Sequence, residues 1–229
     1  NTRKEQNIQI LDPAAGTMAF GSGYLRYAFQ KIFQLQNGDR NRAIEVFKKW
    51  FFSEFVENMY AFEILIAPYV LGYIHIFFTL EELGLTLTDE LNLNSYLTNA
   101  FMTSPRQETL DMWLKDKNIE QEPRTVSKVK DKEQILIVMG NPPYSLTSQN
   151  NSRWIQNLLE SYKEGLNEGN LKILSDDYVK FIRFGQWRIE QTGQGILAYI
   201  SNNKYLDGQV YHVMRASLRK SFDKIYIVN

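Results

Sequence analysis

The chain has 229 residues and no net charge, because 26 Lys and Arg balance 26 Asp and Glu. A hydrophobic fraction of 44% suits a globular protein with a well-buried core and excludes disorder of the whole chain. With no cysteine and two histidines, the chain offers neither a disulfide framework nor a Cys/His zinc site, so we expect no metal. The balanced charge excludes a global positive field, so any grip on nucleic acid must be local.

The longest apolar run, Ile64 to Phe78, predicts a buried helix and not a membrane segment. It is shorter than a bilayer span and contains Pro68, Gly72 and His75, of which His75 is expected to be a packed core histidine. No secretory leader is visible, and a chain without cysteine fits a cytoplasmic setting. The start at Asn1, close to a strand-like segment, indicates one domain over residues 1–229 cut from a longer protein.

The first hundred residues predict three strands with helices between them. Short apolar stretches bounded by turn residues are typical of buried strands, and here they are Ile8–Leu11, Met59–Ile64 and Leu93–Thr98. Helical spacing predicts a helix over 20–36 that stops at Asn37-Gly38, a second helix capped by Asp39, and a third over 65–83 that ends at Gly84.

The second half repeats this alternation after a charged segment. We expect a helical insertion at about residues 103–134. Three further strands are predicted at Ile135–Met139, Ile196–Ile200 and Lys224–Val228. Two helical stretches between the first two of these strands end by Gln191, and Asp207–Lys220 reads as a helix.

Strands that alternate with helices predict an α/β fold with a doubly wound, mostly parallel sheet. In such sheets, ligands bind outside the carboxyl ends of the strands. Five polar residues fall at those ends and should converge on one crevice: Asp12, Glu63, Asn99, Asn141 and Ser201.

The tetrapeptide Asn141-Pro142-Pro143-Tyr144 follows the most apolar strand. Each proline fixes its own φ and restricts the residue before it, so the loop is stiff before a ligand arrives. Prolines also lack N–H groups, which leaves a surface rich in acceptors to which the Asn141 amide oxygen adds. The alternative is an ordinary tight turn after a strand, but the position and the following tyrosine favour a functional loop.

These acceptors suit an exocyclic amino group with two hydrogens to donate. The Asn141 amide oxygen and the Pro142 carbonyl could hold both hydrogens and aim the nitrogen lone pair at a sulfonium methyl group, so that catalysis is mostly orientation. Tyr144 offers a flat face for a base taken out of the helix. The tetrapeptide therefore predicts methyl transfer to a planar amine or amide nitrogen.

Two further segments suit a nucleoside cofactor. The small residues from Asp12 to Phe20 allow close backbone approach, and the following helix favours a carboxylate at its N-terminus. Glu63 ends the second strand, where a carboxylate can accept from both hydroxyls of a ribose. Taken alone, each segment is also compatible with an ordinary turn or a surface glutamate.

Together these segments resemble the gamma-order adenine-N6 DNA methyltransferases, and in particular the large type IIG and single-polypeptide type I restriction-modification enzymes. The likeness covers nearly the whole chain. Besides Asp12–Phe20 and the tetrapeptide, it is carried by Ala61–Tyr69, Tyr96–Asn99, Asn150 with Asn151 and Trp154, Tyr178–Phe181 and Ser201–Gly208. It implies a Rossmann-like methyltransferase fold that uses S-adenosylmethionine and double-stranded DNA.

The resemblance also implies a role for each matching residue. Asp12, Ala14 and Gly16 would line the methionine end of the cofactor, and Glu63 would bind its ribose, with Ile64 against the adenine face. Asn99 would bind the adenine amino group, and Phe181 would help to wall that pocket. Asn141, Pro142, Pro143 and Tyr144 would handle the target adenine, and Ser201, Asn202 and Asn203 would contact DNA.

The chain departs from the family pattern in two ways. Many relatives have glycine or serine where Met18 stands, which bears on how closely the first loop approaches the methionine moiety. The sequence also shows no upstream cofactor-covering motif, closing antiparallel hairpin or target-recognition domain. We expect fusion to nuclease or helicase and recognition domains in a longer protein.

Two other functions remain open at this point. A protein glutamine N5-methyltransferase also carries this tetrapeptide, although its first and fourth motifs lie much closer together. A non-catalytic cofactor-binding module of a phage-defence protein would fit the zero net charge and Met18.

Overall fold

The computed structural model describes residues 8–87, 91–102, 129, 134–144, 150–166 and 171–228. The described residues form two compact units. Unit 1 holds the residues up to Ala100 together with Val129, and unit 2 holds Phe101, Met102 and the described residues from Gln134 onward. The predicted helical insertion lies outside the described residues, except for Val129 and Gln134.

Unit 1 is built on three parallel strands, β1 (Gln9–Asp12), β2 (Met59–Glu63) and β3 (Asn94–Leu97), with β2 between the other two. Asp12 is in register with Ala61, and Glu63 with Leu97. The last residues of β1 and β2 therefore lie at the same edge of the strands, as ligand-binding residues do in parallel sheets.

Three helices of unit 1 connect and flank its strands. They are α1 (Ala19–Leu35), α2 (Arg40–Trp50) and α3 (Ile66–Leu83). The predicted cap of α2 is confirmed, since the Asp39 side chain accepts from Arg42 N. The predicted stop of α3 is also confirmed, since Gly84 has a φ of 90°, in the left-handed region that glycine tolerates. After α2 the chain continues through a π-helical turn, Phe51–Phe55, and a short helical segment, Val56–Asn58.

Unit 2 contains β4 (Ile135–Gly140) and β5 (Ile196–Tyr199), which are parallel. Its helices are α4 (Arg153–Lys163), α5 (Asp177–Thr192) and α6 (His212–Ser221). Short 3₁₀ turns lie at Leu171–Ser175, Asn203–Tyr205 and Gln209–Tyr211. The core of unit 2 gathers Leu159, Tyr162, Tyr178, Ile182 and Met214 from these three helices.

Every described strand pair is parallel, and strands alternate with helices, so the predicted α/β class is confirmed. The predicted strand at Lys224–Val228 is wrong. Those residues have no strand structure, and Tyr226 and Val228 are more than four-fifths exposed. A β-strand needs an adjacent strand with which to form hydrogen bonds, and an apolar sequence pattern alone does not provide one. In the described part of the chain, no helix is both long and apolar enough to cross a membrane.

Candidate active site

The loop after β1 is held closely against the end of β2. The Asp12 carboxylate accepts from Ala14 N at 3.1 Å, and Ala15 N donates to the Phe62 carbonyl at 2.9 Å. Gly16 has a φ of 54°, and a Cβ placed on it would meet no atom within 4 Å. The backbone at Gly16 is therefore open to the close approach of a ligand.

Glu63 ends β2 and binds three backbone N–H groups. Its Oε2 accepts from Gly16 N at 2.8 Å, and its Oε1 accepts from Ile64 N at 2.9 Å and Leu65 N at 2.8 Å. These bonds fix the carboxylate at the carboxyl edge of the strands and join it to the first loop. Within unit 1, Asp12 and Glu63 thus end neighbouring strands, and Glu63 binds the backbone of Gly16.

Asp12 is 1% exposed, and burial raises the pKa of its carboxyl group to about 7. The negative charge of Glu63 raises this pKa further, whereas the hydrogen bond from Ala14 N lowers it. A buried carboxyl group of this kind is costly to ionise, and groups with such shifts concentrate at functional sites.

Met18 occupies a left-handed conformation, with φ 61° and ψ 33°, directly before α1. Its side chain is buried and occupies space that Gly21 and Gly72 leave. A Cβ on Gly72 would lie 2.8 Å from the Met18 Cγ. The departure from the family pattern is therefore accommodated by glycines on α1 and α3.

The other predicted cofactor residues of unit 1 lie at the same strand ends. Ile64 follows β2 directly and its side chain is half exposed. Asn99 lies two residues beyond β3, and Thr98 N next to it donates to the Glu63 carbonyl at 2.7 Å. Ile64 thus offers an apolar surface, and Asn99 a polar side chain, beyond β2 and β3.

In unit 2, the predicted catalytic tetrapeptide begins directly after β4. Asn141 is exposed, Pro142 is buried, and Tyr144 is 49% exposed. The Tyr144 hydroxyl donates to the Asn141 Oδ1 at 3.2 Å. An amide oxygen has two lone pairs, so Asn141 keeps acceptor capacity for a second donor.

Helix α5 supports Tyr144 through Tyr178. The two rings are in edge contact, with centroids 6.2 Å apart, and Tyr205 contacts Tyr178 at 6.3 Å. The Tyr178 hydroxyl donates to the Tyr211 hydroxyl at 2.9 Å, and burial raises its pKa. Tyr178 thus connects the tetrapeptide to the loop after β5.

The remaining predicted residues of unit 2 lie on α5 and in the segment that follows β5. Phe181 is buried on α5 and packs against Phe101, with ring centroids 4.6 Å apart. Ser201 follows β5 closely, and Asn203 is exposed. The Asn202 side chain accepts from Lys204 N at 2.9 Å and so caps a 3₁₀ turn.

Two polar contacts near these loops were not anticipated. Lys180 on α5 is fully buried, and its Nζ donates to the Asn151 Oδ1 at 3.1 Å and lies 3.6 Å from an Asp177 carboxylate oxygen. Burial lowers the pKa of Lys180, and the charge of Asp177 opposes that effect. In unit 1, His75 Nδ1 contacts the Thr17 carbonyl at 2.9 Å. No local pattern indicates the Lys180–Asn151 contact or the His75–Thr17 contact, because the partners lie 29 and 58 residues apart in the chain.

The family model described as Eco57I restriction-modification methylase matches residues 58–229. A comparison with curated proteins gives no match.

Solved structures of three proteins bound to DNA or to a DNA substrate mimic are similar to nearly the whole chain. A nuclease-deletion mutant of the Type ISP enzyme LlaGI, in complex with a DNA substrate mimic, is 25% identical over 95% of this chain, with a TM-score of 0.71. The ATP-dependent Type ISP enzyme LlaBIII bound to DNA is 26% identical over 93%, with a TM-score of 0.69. The DrdV–DNA complex is 20% identical over 96%, with a TM-score of 0.69, a likeness that concerns the fold alone.

This chain spans only 17%, 14% and 20% of the lengths of those three proteins. The family match and the structural similarity confirm the methyltransferase type of α/β fold and the resemblance to restriction-modification methylases.

Proposed function

Since the chain belongs to the Eco57I restriction-modification methylase family, we propose that it is the catalytic core of a DNA methyltransferase that methylates N6 of adenine with S-adenosylmethionine. The observation that carries this proposal is the Asn141–Tyr144 loop at the end of β4. It combines an exposed amide acceptor with a half-exposed aromatic ring.

Glu63, Asp12 and Gly16 in unit 1 support the proposed binding of S-adenosylmethionine. A carboxylate has about four acceptor positions, and backbone N–H groups occupy three of those on Glu63. One ribose hydroxyl can bind the remaining position on Oε2, and a second must replace a backbone donor. The open backbone at Gly16 and the buried Asp12 fit the methionine end, with Ala14 between them.

The other cofactor contacts follow from their positions at the strand ends. We expect Ile64 to cover the adenine face and Asn99 to bind the adenine amino group. The family resemblance also assigns Phe181 a part in cofactor binding. When bound, S-adenosylmethionine supplies an electrophilic methyl group on its sulfonium.

The chain's own part in the transfer is orientation of the target amine. The Asn141 Oδ1 and the Pro142 carbonyl accept the two amine hydrogens, which localises the nitrogen lone pair for an in-line attack. Pro143 keeps the loop stiff. Tyr144 stacks on the flipped base, a contact worth about 1–3 kcal/mol.

Double-stranded DNA is the proposed substrate, and Ser201, Asn202 and Asn203 would contact it beside the catalytic loop. The longer protein would carry nuclease or helicase and target-recognition domains, as part of a cytoplasmic restriction-modification system. The zero net charge of this chain fits a core that relies on other domains for much of its grip on DNA.

The test is transfer of a labelled methyl group to adenine-containing duplex DNA, with the product nucleoside identified by mass spectrometry. We expect N6-methyladenine from the wild-type protein. Asn141→Ala should lower the rate at least about a hundredfold while cofactor affinity is retained, because only amine orientation is lost. Exposed Asn157 on α4 provides the control Asn157→Ala. Full activity in Asn141→Ala, or label found only in a glutamine-containing protein substrate, would refute the proposal.

A further inference from the structure

The loop between β1 and α1 is fixed at successive residues. Ala14, Ala15 and Gly16 each donate a backbone N–H to a partner at the ends of β1 and β2. The Thr17 carbonyl is different, since it contacts a side chain from α3, the Nδ1 of His75, at 2.9 Å. A carbonyl oxygen can only accept, so Nδ1 must carry the proton in this contact.

The contact between His75 and Thr17 fixes the Thr17–Met18 peptide, and Met18 has a strained backbone conformation. The planar Thr17–Met18 peptide directs its C=O and N–H in opposite directions, so the bond from His75 also orients the Met18 N–H. That N–H donates to the Ala15 carbonyl at 2.8 Å. Met18 has a φ of 61°, which is unfavourable for a residue with a side chain and persists only where the surroundings fix it.

The face of α3 that carries His75 is built around this loop. Gly72, His75, Ile76 and Thr79 follow helical spacing and share one side of α3. Gly72 leaves room for the Met18 side chain, and the Thr79 hydroxyl hydrogen-bonds to the Ser22 hydroxyl on α1 at 2.9 Å. Both residues therefore contact the loop directly. Gly72 packs against the Met18 side chain, and His75 hydrogen-bonds to the Thr17 carbonyl.

We propose that His75 is a positioning residue that fixes the Ala14–Met18 loop for the methionine end of the cofactor. The inference rests on the proposed function, because it assumes that this loop binds S-adenosylmethionine. His75 acts through the Thr17 carbonyl. Its loss would free the peptide beside Gly16 while leaving Glu63, and thus the ribose site, in place.

Two ligands distinguish an effect on the methionine end of the cofactor site from an effect on its ribose site. S-adenosylhomocysteine carries the amino-acid end, and methylthioadenosine lacks it but keeps the ribose and the adenine. His75→Leu fills much of the ring volume without a donor, whereas His75→Asn places an amide N–H close to the position of Nδ1. His75→Gln retains a donor but moves it away from Thr17, and it replaces His75→Leu if that variant does not fold.

Calorimetry on the full chain measures both dissociation constants, with urea unfolding as a check on folding. We expect His75→Leu and His75→Gln to weaken S-adenosylhomocysteine about tenfold, the effect of one lost hydrogen bond, and methylthioadenosine less than about twofold. His75→Asn should restore most of the affinity. Equal weakening of both ligands, or unchanged binding of S-adenosylhomocysteine, would overturn the role of His75. A wild-type chain that binds neither ligand would overturn the proposed function itself.

Discussion

Asp12 is a buried group whose ionisation should affect both the stability of the chain and the proposed cofactor binding. Its carboxyl group lies at the end of β1, almost without exposure, and burial raises its pKa to about 7. Near neutral pH both the protonated acid and the carboxylate are therefore populated. A positively charged ligand beside it would favour the carboxylate and so lower this pKa.

This raised pKa predicts a pH-dependent stability. The pKa of Asp12 is higher in the folded chain than its ordinary value of 3.8, so the folded state binds the proton more tightly than the unfolded chain does. The stabilisation of the folded state by protonated Asp12 is fully present below about pH 4. It falls as the pH rises and is lost above about pH 7. Asp12→Asn keeps an oxygen acceptor for Ala14 N but does not titrate.

Urea unfolding of both proteins between pH 5 and pH 8 measures the effect. Relative to the wild type, the unfolding free energy of Asp12→Asn should rise by about 1.4 kcal/mol per pH unit up to pH 7 and then level off. A difference that stays constant from pH 5 to pH 8 would show that Asp12 ionises normally.

At the residue scale, the sequence predicts strand-end groups well. Asp12, Glu63 and Asn141 each follow an apolar stretch, and a parallel sheet leaves such residues at its carboxyl edge. The sequence does not predict the hydrogen-bond partners of side chains in the same way, because those partners depend on tertiary packing. His75 meets an atom 58 residues away, and Lys180 meets one 29 residues away, so no local pattern indicates either contact.

At the scale of elements, periodicity predicts β1 to β5 and most helices within a few residues. The exceptions arise where tertiary contacts decide the outcome. The chain forms a π-helical turn at Phe51–Phe55 in which both phenylalanines are buried, and their four-residue spacing does not distinguish this turn from an α-helix. Lys224–Val228 has a β-branched pattern but no strand structure, because pairing and not propensity completes a strand.

The junction of the first loop with α3 predicts a coupling between Met18 and Gly72. Gly72→Ala would place a Cβ 2.8 Å from the Met18 Cγ, and such overpacking costs about 1–3 kcal/mol. Met18→Gly relieves the left-handed strain but removes a buried side chain, so we expect net destabilisation. In the Met18→Gly background, Gly72→Ala should cost less than about 0.5 kcal/mol.

Urea unfolding of the two single variants and the double variant completes this cycle. Gly23→Ala is the control, since Gly23 lies within α1 and its added Cβ would meet nothing within 4 Å. That variant should be more stable than the wild type by up to about 1 kcal/mol, the difference in helix propensity. Additive costs for Met18→Gly and Gly72→Ala would contradict the packing described above.

At the scale of the whole molecule, ligand binding should appear as stability of the folded chain. S-adenosylmethionine at a hundredfold excess over its dissociation constant should add about 2.7 kcal/mol to the unfolding free energy, provided that only the folded chain binds it. Glu63→Gln should reduce this gain to under about 1 kcal/mol at the same cofactor concentration. An amide cannot accept from three backbone donors and a ribose hydroxyl together. Glu45→Gln, an exposed exchange on α2, should retain the full gain.

Hydrogen exchange with and without the cofactor would show which residues account for the gain in unfolding free energy. We expect protection at residues 12–18 and 63–65, and protection elsewhere without any in these segments would place the ligand outside the proposed site.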